Sequence, residues 1–354
     1  MLNVQCFPRA QAGSVLIIVL WVCIGLVSIA LYFANAMTYE LRAADNRVSG
    51  VQADQAIEGA ARYVSLALLT YATNGAVPDN TQFSCEAVPV GDAKFWLIGR
   101  DPAGGDATEP YFGLVDEGGK LNLNNVSTNV FQYLPDMTVD FADAIMDWRG
   151  TNGVVSLDYT SLGYEPKYAP FETVDELRLV YGATAGLLAG EDINRNGVLD
   201  KGEKDLNGNG VLDPGLLEYA TVYTREPNFH ADGSSLTNVN TDGDEKIRSL
   251  LSSAGISTSY VRQLTVTNTG ARPYAGIFGF ALRCKNIGIS SDDFSRLVSN
   301  VTTSTNTYLR GRVNVNTASA DVLTALFMGA SANMDESTAE SAAQTLVNYR
   351  EQNP

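Results

Sequence analysis

Histidine is almost missing from this chain: His230 is the only one in 354 residues. It lies in a Gly/Ser/Asp-rich stretch with no cysteine near it in sequence, so no His-centred triad or His-rich metal cluster is encoded. There is no Gly-rich phosphate loop and no nucleophile elbow. A glycosidase-type carboxylate pair carries no specificity among 40 Asp and Glu. No catalytic set emerges, and the chain reads as a non-enzyme. Bases are scarce as well, 24 against those 40 acids, for a formal charge of −16. Phosphate binding needs a basic footprint, which argues against nucleic acid as a partner. Cysteine is used four times. Cys6 and Cys23 lie at the N-terminus, so Cys85 and Cys284 are the only pair in the body. In an oxidising compartment they either form a disulfide or stay as two separate buried thiols.

What is present begins with an uncharged run of 21 residues from Ser14 to Ala34, SVLIIVLWVCIGLVSIALYFA. At roughly 1.5 Å per residue this makes about 30 Å of helix, the thickness of a bilayer's hydrocarbon core. The N-terminal amine and Arg9 precede it without an acid, and Glu40, Arg42, Asp45 and Arg47 follow it. The positive flank stays in the cytoplasm, which puts the acidic body on the other side. The run exceeds the roughly 7–15 residues of a secretory h-region. Ala34-Asn35-Ala36 nevertheless has the small-x-small form of a signal-peptidase site.

Beyond the span, Leu41, Ala44, Val48 and Val51 recur at helical spacing, and after a stutter so do Ile57, Ala61, Val64 and Leu68. One helix is predicted over 14–73, ending at Asn74-Gly75. Short strands are predicted at 94–99 and 111–115, helical stretches at 130–148 and 173–180, and strands again at 261–267 and 277–284. Thr173 and Glu176 make a capping box. Two helices, 320–327 and 336–350, close the chain. The pattern is α+β. A phrase recurs three times, as Leu121 to Asn125, Asn238 to Thr241 and Val313 to Thr317. Alternating Asn and branched residues suit a brief extended segment whose last Asn or Thr caps a following helix.

The constellation with metal chemistry runs from Asp192 to Glu218 as two copies offset by thirteen residues. The first fits the calcium-loop pattern throughout: Asp192, Asn194, Asn196, Gly197 for the turn, the Val198 carbonyl, Asp200, and Glu203 at the twelfth place. The second keeps Asp205, Asn207, Asn209, Gly210, the Val211 carbonyl and Asp213, but has Leu216 at the twelfth place. Its nearest acid is Glu218, so the second site is weaker or is completed from elsewhere. Strongly amphipathic flanking helices are missing. The pair reads as tandem structural Ca²⁺ loops of the extracellular kind, with affinities around 10⁻⁴–10⁻³ M. The competing reading is a flexible acidic linker, since Asp, Asn and Gly also favour turns.

The leader, span and long helix resemble a type IV pilin-like protein, with Gly13-Ser14 as the prepilin peptidase junction and methylation site. Most such proteins carry Glu at the fifth mature place; here it is Ile18. Ser14 also departs from the larger apolar residue common at the first mature place. With the large body, Ile18 makes the chain look like the K-type minor pseudopilin of type II secretion. Further likenesses are DEGGKLNLNN (116–125), DWRG (147–150), YAPFETVDELRLVYGAT (168–184), LLEYATVYT (216–224) and GRVNVNTASADVL (311–323). The resemblance covers most of the chain except about 225–310.

It implies a leader at 1–13, a transmembrane part at 14–35, and a pilin helix with first strands at 36–117. An inserted helical domain at 118–225 holds the calcium loops at 192–218. A mixed strand and loop insertion at 226–310 and a C-terminal helical hairpin at 311–354 complete it. The fold implied is α+β, a long pilin helix with a small antiparallel sheet and inserted helix-hairpin-helix-like segments. The place implied is the tip of a periplasmic pseudopilus anchored in the inner membrane. Its partners there would be the I- and J-type minor pseudopilins, the inner-membrane assembly platform and the prepilin peptidase. In the family the missing Glu neutralises a neighbour's N-terminal amine, so Ile18 suits a subunit with none ahead of it. The family continues past NYREQNP, so the chain is a fragment or closes its sheet through 261–284. A second resemblance, VNVNTASADVLTAL followed by TLVNYREQN, is to the helix-hairpin-helix of competence-type DNA-binding proteins. Asp335, Glu336 and Glu340 there, with no base before Arg350, weigh against DNA.

Overall fold

Sixty residues free of proline, Ala12–Tyr71, form one unbroken helix in a computed structural model. It describes residues 12–72, 77–99, 108–150, 157, 159–266, 272–330 and 334–352. The leader up to residue 11 and the expected Asn74-Gly75 stop lie outside the described residues. The chain divides into two units, residues 1–98 with 112–114, and 99–111 with 115–354.

In the first unit the helix is exposed on all sides from residue 15 to 55 except at the half-buried Ala36. Its covered stripe is Ala56, Gly59, Ala60, Tyr63, Val64 and Ala67, mostly small residues at i, i+3 and i+4 spacing. Of the expected stripe, Val64 is half-buried, while Ile57 is 69% exposed and Leu68 40% exposed. Close approach decides this, since a Cβ on Gly59 would stand 2.9 Å from a Val90 methyl. Val88–Val90 and Ala93–Phe95 pair antiparallel, and Ile98 bridges Phe112. Phe83, Cys85 and Ala67 form a small core with Tyr63, Leu97, Phe112 and Leu114.

The second unit is helical with very short strands. Its larger core packs Val139–Trp148, Ala320–Ala330 and Glu336–Gln352 around Leu121, Leu123, Phe131 and Leu177. The helix expected over 130–148 is broken, as Thr128–Phe131 and Val139–Trp148, by Pro135, which removes a ladder N–H. The stretch at Val174–Leu179 is a 3₁₀ helix, with the Glu176 carboxylate accepting from the Thr173 N–H at 3.1 Å. The second core holds Ile247, Leu251, Leu264, Phe280 and Leu297. Here the expected strands at 261–267 and 277–284 are helices, Val261–Thr265 and Ile277–Asn286. Burial at Val261 and Leu264, and at Phe280 and Cys284, follows the helical period rather than alternation. Segment 226–310, expected as mixed strand and loop, is therefore mainly helical. Arg225–Pro227 and Tyr308–Arg310 pair antiparallel at its two ends.

The recurring Asn phrase builds two equivalent junctions. Leu121-Asn122 pairs parallel with Ala220-Thr221, and Thr237-Asn238 with Val301-Thr302. Asn122 Oδ1 accepts from the Asn124 N–H at 2.9 Å, and Asn238 Oδ1 from the Asn240 N–H at 2.9 Å. Asn124 then brackets the backbone of Phe171, accepting from its N–H (2.7 Å) and donating to its carbonyl (2.9 Å). Asn240 does the same to Tyr274, at 2.7 and 3.0 Å. The expected capping role is not what these residues perform. The following helices are capped at Ser127, Gly243 and Ser319.

Cys85 and Cys284 are free thiols, each buried in the core of a different unit. Desolvation pushes the Cys284 thiol up to about 12. Near neutral pH, iodoacetamide is expected to label neither Cys85 nor Cys284 until the protein is unfolded, and reductant is expected to leave Tm unchanged. A Tm that falls on reduction would decide for the bridge. Asn240→Ala would strand the Tyr274 N–H and carbonyl beside the second core. A loss of about 1–3 kcal/mol is expected in urea unfolding, with Asn306→Ala as the exposed control.

Candidate metal centre

The two Asp/Asn loops follow a short helix, Ala185–Ala189, capped by the Thr184 hydroxyl and ended at Gly190 with φ 72°. In the first loop Asp192 is fully buried. Its carboxylate accepts from the N–H groups of Asn196 (3.1 Å) and Gly197 (2.8 Å). Asn194 Oδ1 accepts from Asn196 N–H at 3.0 Å, and Asn196 Oδ1 from Val198 N–H at 2.7 Å. Both amides donate to Asp200 Oδ2, at 2.6 and 2.8 Å. Arg195 and Gly197 take positive φ, 61° and 78°, which winds the loop back on itself.

Thirteen residues later the same scheme returns. Asp205 accepts from Asn209 (3.3 Å) and Gly210 (2.8 Å), and Asn207 and Asn209 donate to Asp213. The Asn207 and Asn209 oxygens accept from the N–H groups of Asn209 and Val211. Gly208 and Gly210 supply the positive φ values, 72° and 81°. The N–H groups of Gly210, Gly208 and Asn209 hold the Asp205 carboxyl below the usual carboxylate range.

The two loops differ at the twelfth place. In the first loop Glu203 closes the ring, accepting from Ile193 (2.9 Å), Asn194 (3.3 Å) and Asp200 (3.0 Å). In the second loop the equivalent bonds, from Leu206 (2.7 Å) and Asp213 (3.0 Å), go to Glu191. Glu191 immediately precedes the first loop, so the second is completed from outside its own segment. Glu218, expected in that role, instead faces Arg195 at 3.7 Å. Its short helix, Leu216–Tyr219, buries Leu216, Leu217 and Tyr219, which orients the carboxylate toward the first loop. The only sequence signal for Glu191 was its place directly before Asp192.

The two loops share a base. Glu191 N–H donates to Asp213 O at 2.9 Å, and Gly190 bridges Pro214. Backbones touch here, since a Cβ on Gly190 would come within 2.2 Å of Asp213 O and one on Gly215 within 2.3 Å of Gly190 N.

Among the described residues, no three His, Cys, Asp or Glu side chains gather as a metal cluster. Two of the five side-chain donors expected in the first loop are asparagine amides, and its three carboxylates, Asp192, Asp200 and Glu203, do not gather as a cluster in this structure. The donors fit a hard cation by chemistry: all are oxygens of Asp, Asn, Glu or backbone. The Asn N–H groups that now meet Asp200 and Asp213 supply the partial positive charge that a cation would supply in full. Gly13 and Ser14 lie in the first turn of the long helix, and Ile18 is exposed on it. No known protein family, curated protein or solved structure matches this chain.

Millimolar Ca²⁺ is expected to raise Tm and EDTA to lower it. Each filled loop contributes about 1.4 kcal/mol at ten times its Kd. Glu203→Gln and Glu191→Gln should each remove part of the response, whereas Glu218→Gln should leave it intact. No EDTA-dependent shift would sink the metal reading.

Proposed function

We propose that this chain is a K-type minor pseudopilin, which caps the pseudopilus of a type II secretion system and promotes its assembly and protein export. The observation that carries the proposal is the bare rod. The described helix is exposed almost throughout its first 40-odd residues, and it includes one stretch long and apolar enough to cross a membrane. So much apolar surface has no partner among the described residues, and lipid or sister helices would cover it. Residues 14–35 would lie in the inner membrane, with the acidic body in the periplasm.

Cleavage after Gly13 by the prepilin peptidase would leave a methylated Ser14. Within a bundle of such rods Ile18 offers no acid to a subunit ahead, which favours the first position. A buried unpaired amine or carboxylate would cost several kcal/mol there. The helical body, with its helix-hairpin-helix-like C-terminal pair, would then meet the I- and J-type minor pseudopilins, and Ca²⁺ would keep the paired loops closed. The protein works by assembly and contact, without turnover.

The DNA-uptake alternative has little in its favour. The one base in the hairpin's two helices, Arg350, donates to the carbonyls of Val315 (2.8 Å) and Ala318 (2.7 Å). Mass spectrometry of the mature N-terminus decides the matter. N-methylated Ser14 is the expected species, and a chain starting at Met37 would overturn the proposal.

A further inference from the structure

Bases are the scarcer charge in this chain, 24 against 40 acids, yet two of them meet at a cavity that no acid lines. The cavity measures about 760 Å³ and lies beside the last short strand, Tyr308–Arg310. Arg310 and Arg312 stand in its wall with Thr303, Thr305 and Thr307, and no aspartate or glutamate is among its lining residues. Arg312 donates to Glu226 at 3.0 Å, but both side chains of that pair are about half exposed, so it is weak. The Arg310 side chain is exposed and has no hydrogen-bond or ion-pair partner among the described residues.

Strand pairing sharpens the need for a counter-charge. Arg310 lies directly opposite Arg225 in the antiparallel register. Asn228 N–H donates to Thr307 O at 2.9 Å, which sets the phase of the ladder and makes Arg225 with Arg310 a non-hydrogen-bonded pair. Cα atoms of such pairs approach to about 4.5 Å, and like charges directly opposite destabilise the pairing. Arg225 is relieved by the face of the Tyr308 ring, 5.2 Å away. Nothing among the described residues does the same for Arg310. The cavity wall also includes Gly276 and Ile277, where the ten-residue helix Ile277–Asn286 begins. That helix has no acid in its first turn and no side-chain cap, so its first N–H groups keep their partial positive charge. Two guanidinium groups, three hydroxyls and these N–H groups border one space.

We propose that this cavity binds the phosphate monoester of a small organic molecule. Arg310 and Arg312 supply the charge, and the threonine hydroxyls and helix N–H groups supply further donors. A phosphate group presents three terminal oxygens and close to two negative charges at neutral pH, which suits so many donors better than the two oxygens and single charge of a carboxylate. Phosphate alone would leave most of the space empty. Ile277, Tyr308 and Leu309 line it as well, and such apolar and aromatic side chains pack an organic body. The bound dianion would offset the repulsion between Arg225 and Arg310.

The test uses the full chain in detergent and phenyl phosphate as the probe, followed by phosphorus NMR at constant ionic strength. EDTA is present, so that a cation at the Asp/Asn loops contributes nothing. Saturable line broadening is expected, reversed by inorganic phosphate and not by acetate. Arg310→Gln should weaken binding about tenfold or more, and Thr305→Asp, which sets an acid in the wall, should abolish it. Both residues are exposed, so the variants should melt with the parent protein, and melting curves verify this. Absence of saturable broadening, broadening that Arg310→Gln leaves unchanged, or equal displacement by acetate overturns the inference. None of these results bears on the membrane rod, which the N-terminal mass tests separately.

Discussion

Asparagine and aspartate side chains bonded to backbone hold together a body that has almost no sheet. Its paired strands are two or three residues long, too short for ladders to satisfy the polar groups of the connecting chain. Every buried N–H and carbonyl still needs a partner. Asn supplies a donor and an acceptor on one rigid amide, which matches one residue's N–H and carbonyl at once. Asp supplies two acceptors, which suit the converging N–H groups of a tight loop. The junctions at Asn124 and Asn240 and the loops at Asp192 and Asp205 are two uses of the same substitution of side chain for strand.

The long helix meets the same requirement by itself, since each of its interior N–H groups has a carbonyl four residues back. It can therefore stand without a body around it, which is also the condition for crossing lipid. Where it does pack, it presents Ala56, Gly59 and Ala60 and turns Ile57 and Leu69 away. Small residues let a strand approach closely. The large ones are left on a surface that the described residues of this unit do not cover.

The elements legible from sequence were those with local causes. The unbroken apolar run, the calcium-type repeats and the closing helix pair each follow from neighbours within a few residues. The helices at 261–265 and 277–286 were missed because Ile-Phe-Gly-Phe-Ala-Leu satisfies either period, and only burial of Phe280 with Cys284 decides between them. The stripe on the long helix was misread because hydrophobicity was taken as the sign of burial, whereas close packing selected alanine and glycine. Glu191 and the Asn brackets were invisible for another reason. Their partners lie 15 to 47 residues away, and no periodicity encodes such pairs.

Glu191 and the shared loop base connect surface chemistry to the core. The chain leaves the paired loops at Asp213 and turns through Pro214-Gly215 directly into Leu216–Tyr219. That helix runs without a break into Ala220-Thr221, the strand that pairs with Leu121-Asn122. Leu212, Leu216 and Leu217 are all buried along this path. The positions of Glu191 on Asp213 and of Gly190 on Pro214 thus set where the returning strand begins. Opening the loops would move that start, and the parallel pair, only two residues wide, has no spare register to absorb it. Carboxylates crowded at the loop base repel one another unless N–H groups or a cation compensate, so charge at the surface bears on the register of the core.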